Sequence, residues 1–317
     1  MKKIFISLKP PDGSYGGGAF FVKDLVSYLI NKNYIVTFNL ESDIDIIFII
    51  DPRKDNYTRF SIKDFIKYKK EYSNVKILYA VNECDIKREI SINIEPIILK
   101  CILNCDHIVF ISKWLKDYYF EKYNIIKTKF INNHNIINNA CDQNIFYQKE
   151  NNIINKNKIK LVTHHWSDNY FKGFYIYNKL DKILPSLKNI ELTYIGRYNN
   201  RYNPKNIKRI PPIDGIKLAD EIRKHDIYLT ASLNEPGGIH QLEGMSCGLP
   251  VLYRENGGGI KETIKGAGEE FNDIDDMLEK LKKISDNYEN YTKNIDYNFL
   301  SSKRFGQEYL DVITKLI

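Results

Sequence analysis

Two glutamates, Glu235 and Glu243, flank a Pro236-Gly237-Gly238 turn in the stretch NEPGGIHQLEGMSCGLPVL (234–252). A turn needs glycine for backbone reasons, but it does not need an acid at each end. The turn leads into a helix expected to begin near Ile239, and the first amides and dipole of such a helix suit a diphosphate. A carboxylate before the turn, Glu235, can accept hydrogen bonds from sugar hydroxyls. Glu243, about one turn up the helix, suits the two vicinal hydroxyls of a ribose. The pattern therefore fits a nucleotide-sugar, gripped at both sugar ends with its phosphates against bare backbone. Either acid alone has a plainer reading, Glu235 as a capping-type acid and Glu243 as a solvated helix residue. His240, inside the pattern, is better placed for such a ligand than His107, His134 or His225, which fall on strands or strand edges and read as structural.

A second glycine-rich turn, KPPDGSYGGGAFF (9–21), places Gly16, Gly17 and Gly18 between the first strand and the first helix. Three glycines at a sheet's carboxyl edge favour close ligand approach over a merely tolerant turn. The turn is not a dinucleotide fingerprint, because Phe21 stands where G-x-G-x-x-G requires glycine, and YIVTFNL ends without a ribose-binding acid. Asp43-Ile-Asp45 and Asp273-Ile-Asp275 are D-x-D tripeptides, but one lies in a buried-strand pattern and the other on a helix. Neither is assigned a metal.

The elements that must position these residues alternate regularly. Strand-like runs at 3–8, 34–38, 44–50, 75–80 and 107–112 are separated by helical stretches at 19–31, 62–72 and 96–104, with another from Lys113. Continuous Val/Ile runs suit parallel strands covered on both faces. A polar, aperiodic run, QKENNIINKNK (148–158), reads as a linker. The alternation then restarts with strands at 159–165, 190–196, 206–212 and 226–232, helices at 173–184 and 215–224, and a helical tail after Asp273. The sequence thus predicts two doubly wound parallel-sheet domains facing each other, with boundaries at 1–150 and 151–298 and a last helix at 299–317. That helix carries an apolar stripe at Phe305, Leu310, Ile313 and Ile317.

Composition agrees with this picture. The 317 residues suit two domains, and 43% hydrophobic with 27% charged is ordinary for a globular enzyme. The formal charge of +7 is spread evenly, without the basic block or arm that marks nucleic-acid binding. It fits anionic small substrates, or loose contact with an anionic membrane surface. Five cysteines without a C-x-x-C pair read as free thiols of a reducing compartment. The opening MKKIFISLKP is too short an apolar run for a signal peptide, and no stretch approaches the roughly 20 apolar residues of a spanning helix. The expected location is the cytoplasm, with peripheral membrane contact left open.

Glu235-x7-Glu243, with GMSCGLPVL and NGGGIKE after it, resembles the signature of the retaining GT-B-fold glycosyltransferases, the large group 1 family with an E-x7-E motif. KGF (172–174) is similar to that family's donor-phosphate lysine segment, and INNACDQNIFY (137–147) to the segment ahead of its linker. NECD (82–85), DHIVFISKWL (106–115) and THHWSDNYFKGF (163–174) resemble a subset of these enzymes. The resemblance covers nearly the whole chain. It implies that Glu235 contacts donor-sugar hydroxyls, that amides of Gly237, Gly238 and Ile239 lie near sugar and phosphates, and that Glu243 holds the ribose. Lys172 would neutralise the diphosphate and stabilise the leaving group without a metal. Gly258-Gly259-x-x-Glu262 matches a common turn of structural support.

Two positions depart from the family. Ser167 stands where an arginine usually precedes the phosphate lysine, leaving His165 or Arg197 as candidate replacements. Asn82 stands where a histidine near the transferred sugar is common, so only a sugar- or acceptor-shaping role for Asn82, Glu83 and Asp85 is carried over. The resulting expectation is a retaining, metal-independent hexosyltransferase using a UDP- or GDP-sugar and a hydroxyl on a glycan, glycolipid or glycoprotein. The acceptor would lie against the first domain near Gly16–Gly18. A nucleotide-sugar epimerase or hydrolase, or a non-catalytic binder of the same ligand, stays open.

Overall fold

The computed structural model describes residues 1–10, 17–54, 58–89, 93–148 and 153–317, without the side chains of 17–20. It divides into two compact units: Met1–Asp85 with Ser91–Ala140 and Ser302–Ile317, and Ile86–Ile90 with Cys141–Ser301. The first unit therefore ends at Ala140 rather than at 150. Its last strand is already complete there, and the next residue is bonded into the second unit: the Cys141 amide donates to the Leu300 carbonyl at 3.1 Å, and its thiol meets the Ser246 hydroxyl at 2.8 Å. The polar run expected as a linker falls inside the second unit, and its residues 149–152 lie outside the described ones.

The first unit is one six-stranded parallel sheet: β1 (Lys3–Ile6), β2 (Ile35–Thr37), β3 (Ile46–Ile49), β4 (Lys76–Val81), β5 (His107–Phe110) and β6 (His134–Ile136), in the order β2-β1-β3-β4-β5-β6. Successive side chains of a strand face opposite sides, and the core divides accordingly. Phe5, Ile47, Ile49, Ile77 and Tyr79 pack with Phe65 and Ile98 on one face. Ile4, Ile6, Ile46, Phe48 and Leu78 pack with Leu25 and Tyr309 on the other. Burying both faces is what makes these strands read as continuous apolar runs. The edge strand β6 was signalled only by His134, read as lying on a strand or strand edge, because its three residues, His-Asn-Ile, are polar or exposed.

The helix Ser302–Leu316 belongs to this unit and buries Phe305, Tyr309, Val312 and Ile313. Its inward stripe thus includes Tyr309 and Val312, whereas Ile317 is 38% exposed. Phe305 meets Phe21 edge-on at 4.9 Å, and Tyr28 donates to Gln307 at 2.7 Å.

The second unit is another six-stranded parallel sheet: β7 (Ile159–His165), β8 (Ile190–Gly196), β9 (Lys208–Ile210), β10 (Ile227–Thr230), β11 (Val251–Arg254) and β12 (Gly268–Phe271). Its order is β12-β11-β10-β7-β8-β9. The first strand, β7, sits between the second and the fourth, so the direction of winding reverses between β7 and β10. The acidic edge strand β12 was not expected; Glu269 and Glu270 on it are neutralised by Lys283 and Lys261.

All five cysteines are buried, and none is in a disulfide. Asp43 and Asp45 are taken up by Lys3 and Lys2, and Asp273 caps the helix Ile274–Asp286. Among the described residues, no helix is long and apolar enough to cross a membrane, and no group of three or more His, Cys, Asp and Glu could hold a metal.

Candidate active site

Open α/β sheets bind ligands beyond the carboxyl ends of the strands where winding reverses. In the second unit those strands are β7, which ends in His164 and His165, and β10, which ends in Thr230. The loop after β7 closes in a single 3-10 turn, Tyr170–Lys172, followed by Gly173 at φ 102°. A Cβ on Gly173 would lie 2.7 Å from the Ala231 side chain, so only glycine lets this turn rest against the end of β10. The turn delivers Lys172 to Glu235, and the two form an ion pair with side chains only 17% and 12% exposed.

Glu235 is held from behind by the NGGG segment. Its carbonyl accepts from the Gly259 amide at 2.8 Å, and its amide donates to the Gly257 carbonyl at 3.3 Å. Gly258 adopts φ +70°, and a Cβ there would lie 2.4 Å from the Glu235 carbonyl oxygen. The glycines that the sequence offered as structural support therefore fix the backbone of the first glutamate. Burial pushes the Glu235 carboxyl up, but Lys172 and then Lys87 outweigh it and hold it down, from 4.5 to about 2.

Lys87 was missed by sequence reasoning, which stopped at NECD. Residues 86–89 are tied to the rest of the second unit: Asn234 donates to the Ile86 carbonyl at 3.0 Å, Asn169 donates to the Lys87 carbonyl at 2.8 Å, and Arg201 pairs with Glu89. Arg201 also stacks 3.8 Å over the Tyr170 ring. No local motif encodes this placement, because it depends on partners about 80 to 150 residues away.

Glu243 lies on the helix His240–Ser246, every residue of which is buried. It is not a solvated helix residue. His164 Nε2 donates to Glu243 Oε2 at 2.6 Å, and His164 Nδ1 meets the Tyr228 hydroxyl at 3.0 Å. A carboxylate can only accept, so the proton sits on Nε2, and the tyrosine completes the ring's bonding. No protein group among the described residues bonds the other carboxylate oxygen. His164 is a second residue that sequence reasoning passed over, since it adjoins the position weighed for a cation.

That position is corrected by the structure. His165 is buried, with Nε2 against the Tyr177 hydroxyl at 3.0 Å and the Thr163 hydroxyl at 3.3 Å. Burial first, then His240 and Lys172, keep its ring neutral, well below the usual 6.5. It cannot replace the missing arginine as a charge. His240 is likewise buried, bonded to Thr230 Oγ1 at 3.0 Å, and kept neutral by burial and then Lys172. Its ring stands 4.9 Å from that of His165. Arg197 follows β8, its amide donating to the His165 carbonyl at 3.0 Å, and its side chain is exposed. In the turn itself, Gly238 lies against Gln241, whose Nε2 donates to the Gly238 carbonyl at 2.8 Å, and Ile239 precedes the helix.

The remaining expected residues belong to the first unit. Gly17 and Gly18 form the opening turn of the helix Gly17–Asn31 rather than a free loop, and Gly16 lies outside the described residues. Asn82 donates to the Ile50 carbonyl at 3.1 Å, and Asp85 accepts from the Ile94 amide at 2.7 Å. The Glu83 carbonyl accepts from Tyr119 at 2.9 Å. These bonds shape the exit from β4.

Residues 191–299 match the family Glycosyl transferases group 1, and the fold is that of the GT-B glycosyltransferases. The matched span includes Glu235, Glu243 and the NGGG segment and begins after Lys172. A probable sucrose-phosphate synthase of Thermosipho melanesiensis is 33% identical over 105 residues; the match covers 31% of this chain and 25% of that protein. Among solved structures, a sucrose-phosphate synthase from Thermosynechococcus elongatus superposes with a TM-score of 0.72 at 13% identity, covering 100% of this chain and 99% of the other. Anabaena HepE in complex with UDP-glucose gives 0.68 at 13% identity, covering 99% and 100%. At such identities the superpositions establish the fold.

Proposed function

We propose that the protein is a retaining glycosyltransferase that moves a hexose from a nucleotide-diphospho-sugar to a hydroxyl acceptor without a metal. The observation that carries this reading is the pairing of Lys172 with Glu235 at the reversal point between β7 and β10, beside a Glu243 that keeps one oxygen open. In this reading the open oxygen of Glu243 accepts from ribose hydroxyls, and His164 holds the carboxylate in register. Lys172 exchanges Glu235 for the diphosphate as its ion-pair partner, and Glu235 turns to the hydroxyls of the sugar. Lys87, with Arg197, supplies the further positive charge that the absent arginine would give. HepE, which is similar in fold, was solved with UDP-glucose, and this favours UDP over GDP as the base carrier.

The acceptor hydroxyl then attacks from the face the diphosphate leaves. The bond from the anomeric carbon to the diphosphate oxygen breaks as the new glycosidic bond forms, and a donor phosphate oxygen takes the acceptor's proton. No protein base is needed, and positive charge already in place stabilises the leaving group. The test is incubation with UDP-sugars in EDTA, with product anomers read by proton NMR. Retention of the donor's anomeric configuration, undiminished by chelator, is expected. Inversion, or activity that collapses in EDTA and returns with manganese or magnesium, refutes the mechanism.

A further inference from the structure

Gln241, on the helix His240–Ser246, is fully buried beside the turn that follows Glu235. Its Nε2 donates to the Gly238 carbonyl at 2.8 Å and to the Thr263 hydroxyl at 3.3 Å. The partners decide which end of the amide faces them. A carbonyl only accepts, and the Thr263 hydroxyl gives its own proton to the Ile260 carbonyl at 2.7 Å. Both Nε2 protons are thereby engaged, whereas Oε1 is buried and has no partner among the described residues. A leucine would fill the position without stranding an oxygen, so the amide lowers stability where it sits.

What the amide supplies is the direction of one peptide. The Gly238–Ile239 bond is trans, so its carbonyl and its N–H point opposite ways. Fixing the carbonyl on Gln241 therefore aims the Ile239 N–H away from Gln241. No protein group among the described residues accepts from that N–H. Without the bond, a peptide that follows glycine turns over readily. A Cβ on Gly238 would lie 2.4 Å from Gln241 Oε1, so the glycine and the glutamine fit only together. The turn is thus held at both ends. Gly257 and Gly259 bond the Glu235 backbone, and Thr263, on the helix Ile260–Ile264 just after them, steadies the Gln241 side chain that holds Gly238.

We propose that Gln241 is a positioning residue, which keeps the Gly238–Ile239 peptide turned so that the Ile239 N–H meets the diphosphate of the donor. The proposal rests on the donor reading above and goes beyond it. Gln241 touches no ligand and acts through a single amide. It therefore governs how tightly the phosphates are held and leaves the base and the ribose, which Glu243 serves, unaffected.

Calorimetric titration of the full chain with UDP and with uridine tests this. Gln241→Leu deprives the Gly238 carbonyl of its donor. UDP affinity should fall about tenfold, the effect of losing one hydrogen bond to a charged group, while uridine affinity stays within about twofold. Gln241→Met, unbranched and equally without a donor, should behave alike. In the wild type, labelled with nitrogen-15, the Ile239 amide resonance should move on addition of UDP and stay in place with uridine, a reading that needs no variant. Equal losses of UDP and uridine affinity, which a merely structural role would give, overturn the proposal. So do unaltered UDP affinity in both variants and an Ile239 amide indifferent to UDP. In each of these cases the wild type still binds UDP and the donor reading stands; a wild type that binds no nucleoside diphosphate overturns the donor reading and the role of Gln241 together.

Discussion

Removing the ammonium of Lys172 while keeping its bulk, as in Lys172→Met, should destabilise the protein strongly, and the structure sets the size. The Glu235 carboxyl is held from 4.5 down to about 2 although burial alone would raise it. A displacement of about 2.5 pH units at about 1.4 kcal/mol each corresponds to roughly 3 kcal/mol. Breaking a buried pair by removing one partner costs about 3–5 kcal/mol. For a unit of this size that lowers the melting temperature by roughly 6–12 °C near neutral pH. Because the carboxyl is depressed, its contribution is complete above pH 4.5 and fades as pH falls towards 2. The loss should therefore shrink to about 1 kcal/mol at pH 3. Glu235→Gln in the Lys172→Met background should restore most of the stability, since a neutral pair carries no stranded charge. Calorimetric melting of the wild type, the two single variants Lys172→Met and Glu235→Gln, and the double variant at pH 7 and pH 3 provides the check. A shift below about 2 °C at pH 7, or strictly additive effects, would show that the pair is not coupled as described.

Two further outcomes follow from the histidines. His164→Ala strips Glu243 Oε2 of its donor, so stability should fall by about 1–3 kcal/mol and nucleoside diphosphate affinity with it, while His164→Gln should recover part of both; urea unfolding and calorimetric titration read the two effects, and an Ala variant with unaltered affinity would remove the positioning role. His165 and His240 are neutral in the fold and protonate once unfolded, so their contribution is whole above pH 6.5 and is lost as pH falls below it. Each adds up to about 1.4 kcal/mol per pH unit there, and His165→Asn should flatten the measured dependence by that amount; an unchanged slope contradicts a buried neutral ring.

Much of the architecture was legible because the parallel strands are buried on both faces. The runs at 159–165 and 190–196 match β7 and β8 residue for residue. Two of the four edges were not delimited, since β6 and β12 are short and polar where solvent and ion pairs replace packing, whereas the edge strands β2 and β9 fall inside the runs at 34–38 and 206–212. The passage between units also hid from the sequence, because composition changes at 148 whereas the bonding of Cys141 shifts the boundary to Ala140.

Spacing and resemblance singled out Glu235, Glu243 and Lys172, and the structure pairs Lys172 with Glu235 and His164 with Glu243, bonds that the sequence did not reveal. A run of His164-His165 gives no hint that one ring points to Glu243 and the other to Tyr177. That alternation comes from the strand, whose successive side chains face opposite sides of the sheet. Lys87 was invisible for a different reason. Its nearness to Glu235 comes from contacts across 82 and 148 positions of chain, made by Asn169 and Asn234.

The central claim assigns Glu243 to the ribose and Glu235 to the transferred sugar, and titration of UDP into the two glutamine variants tests it most directly. Glu243→Gln places an amide where a carboxylate should accept, and affinity for UDP should fall about ten- to a hundredfold. Glu235→Gln should bind UDP nearly as the wild type does and lose turnover and discrimination between donor sugars instead. Equal weakening in both variants, or weakening in Glu235→Gln alone, contradicts the account.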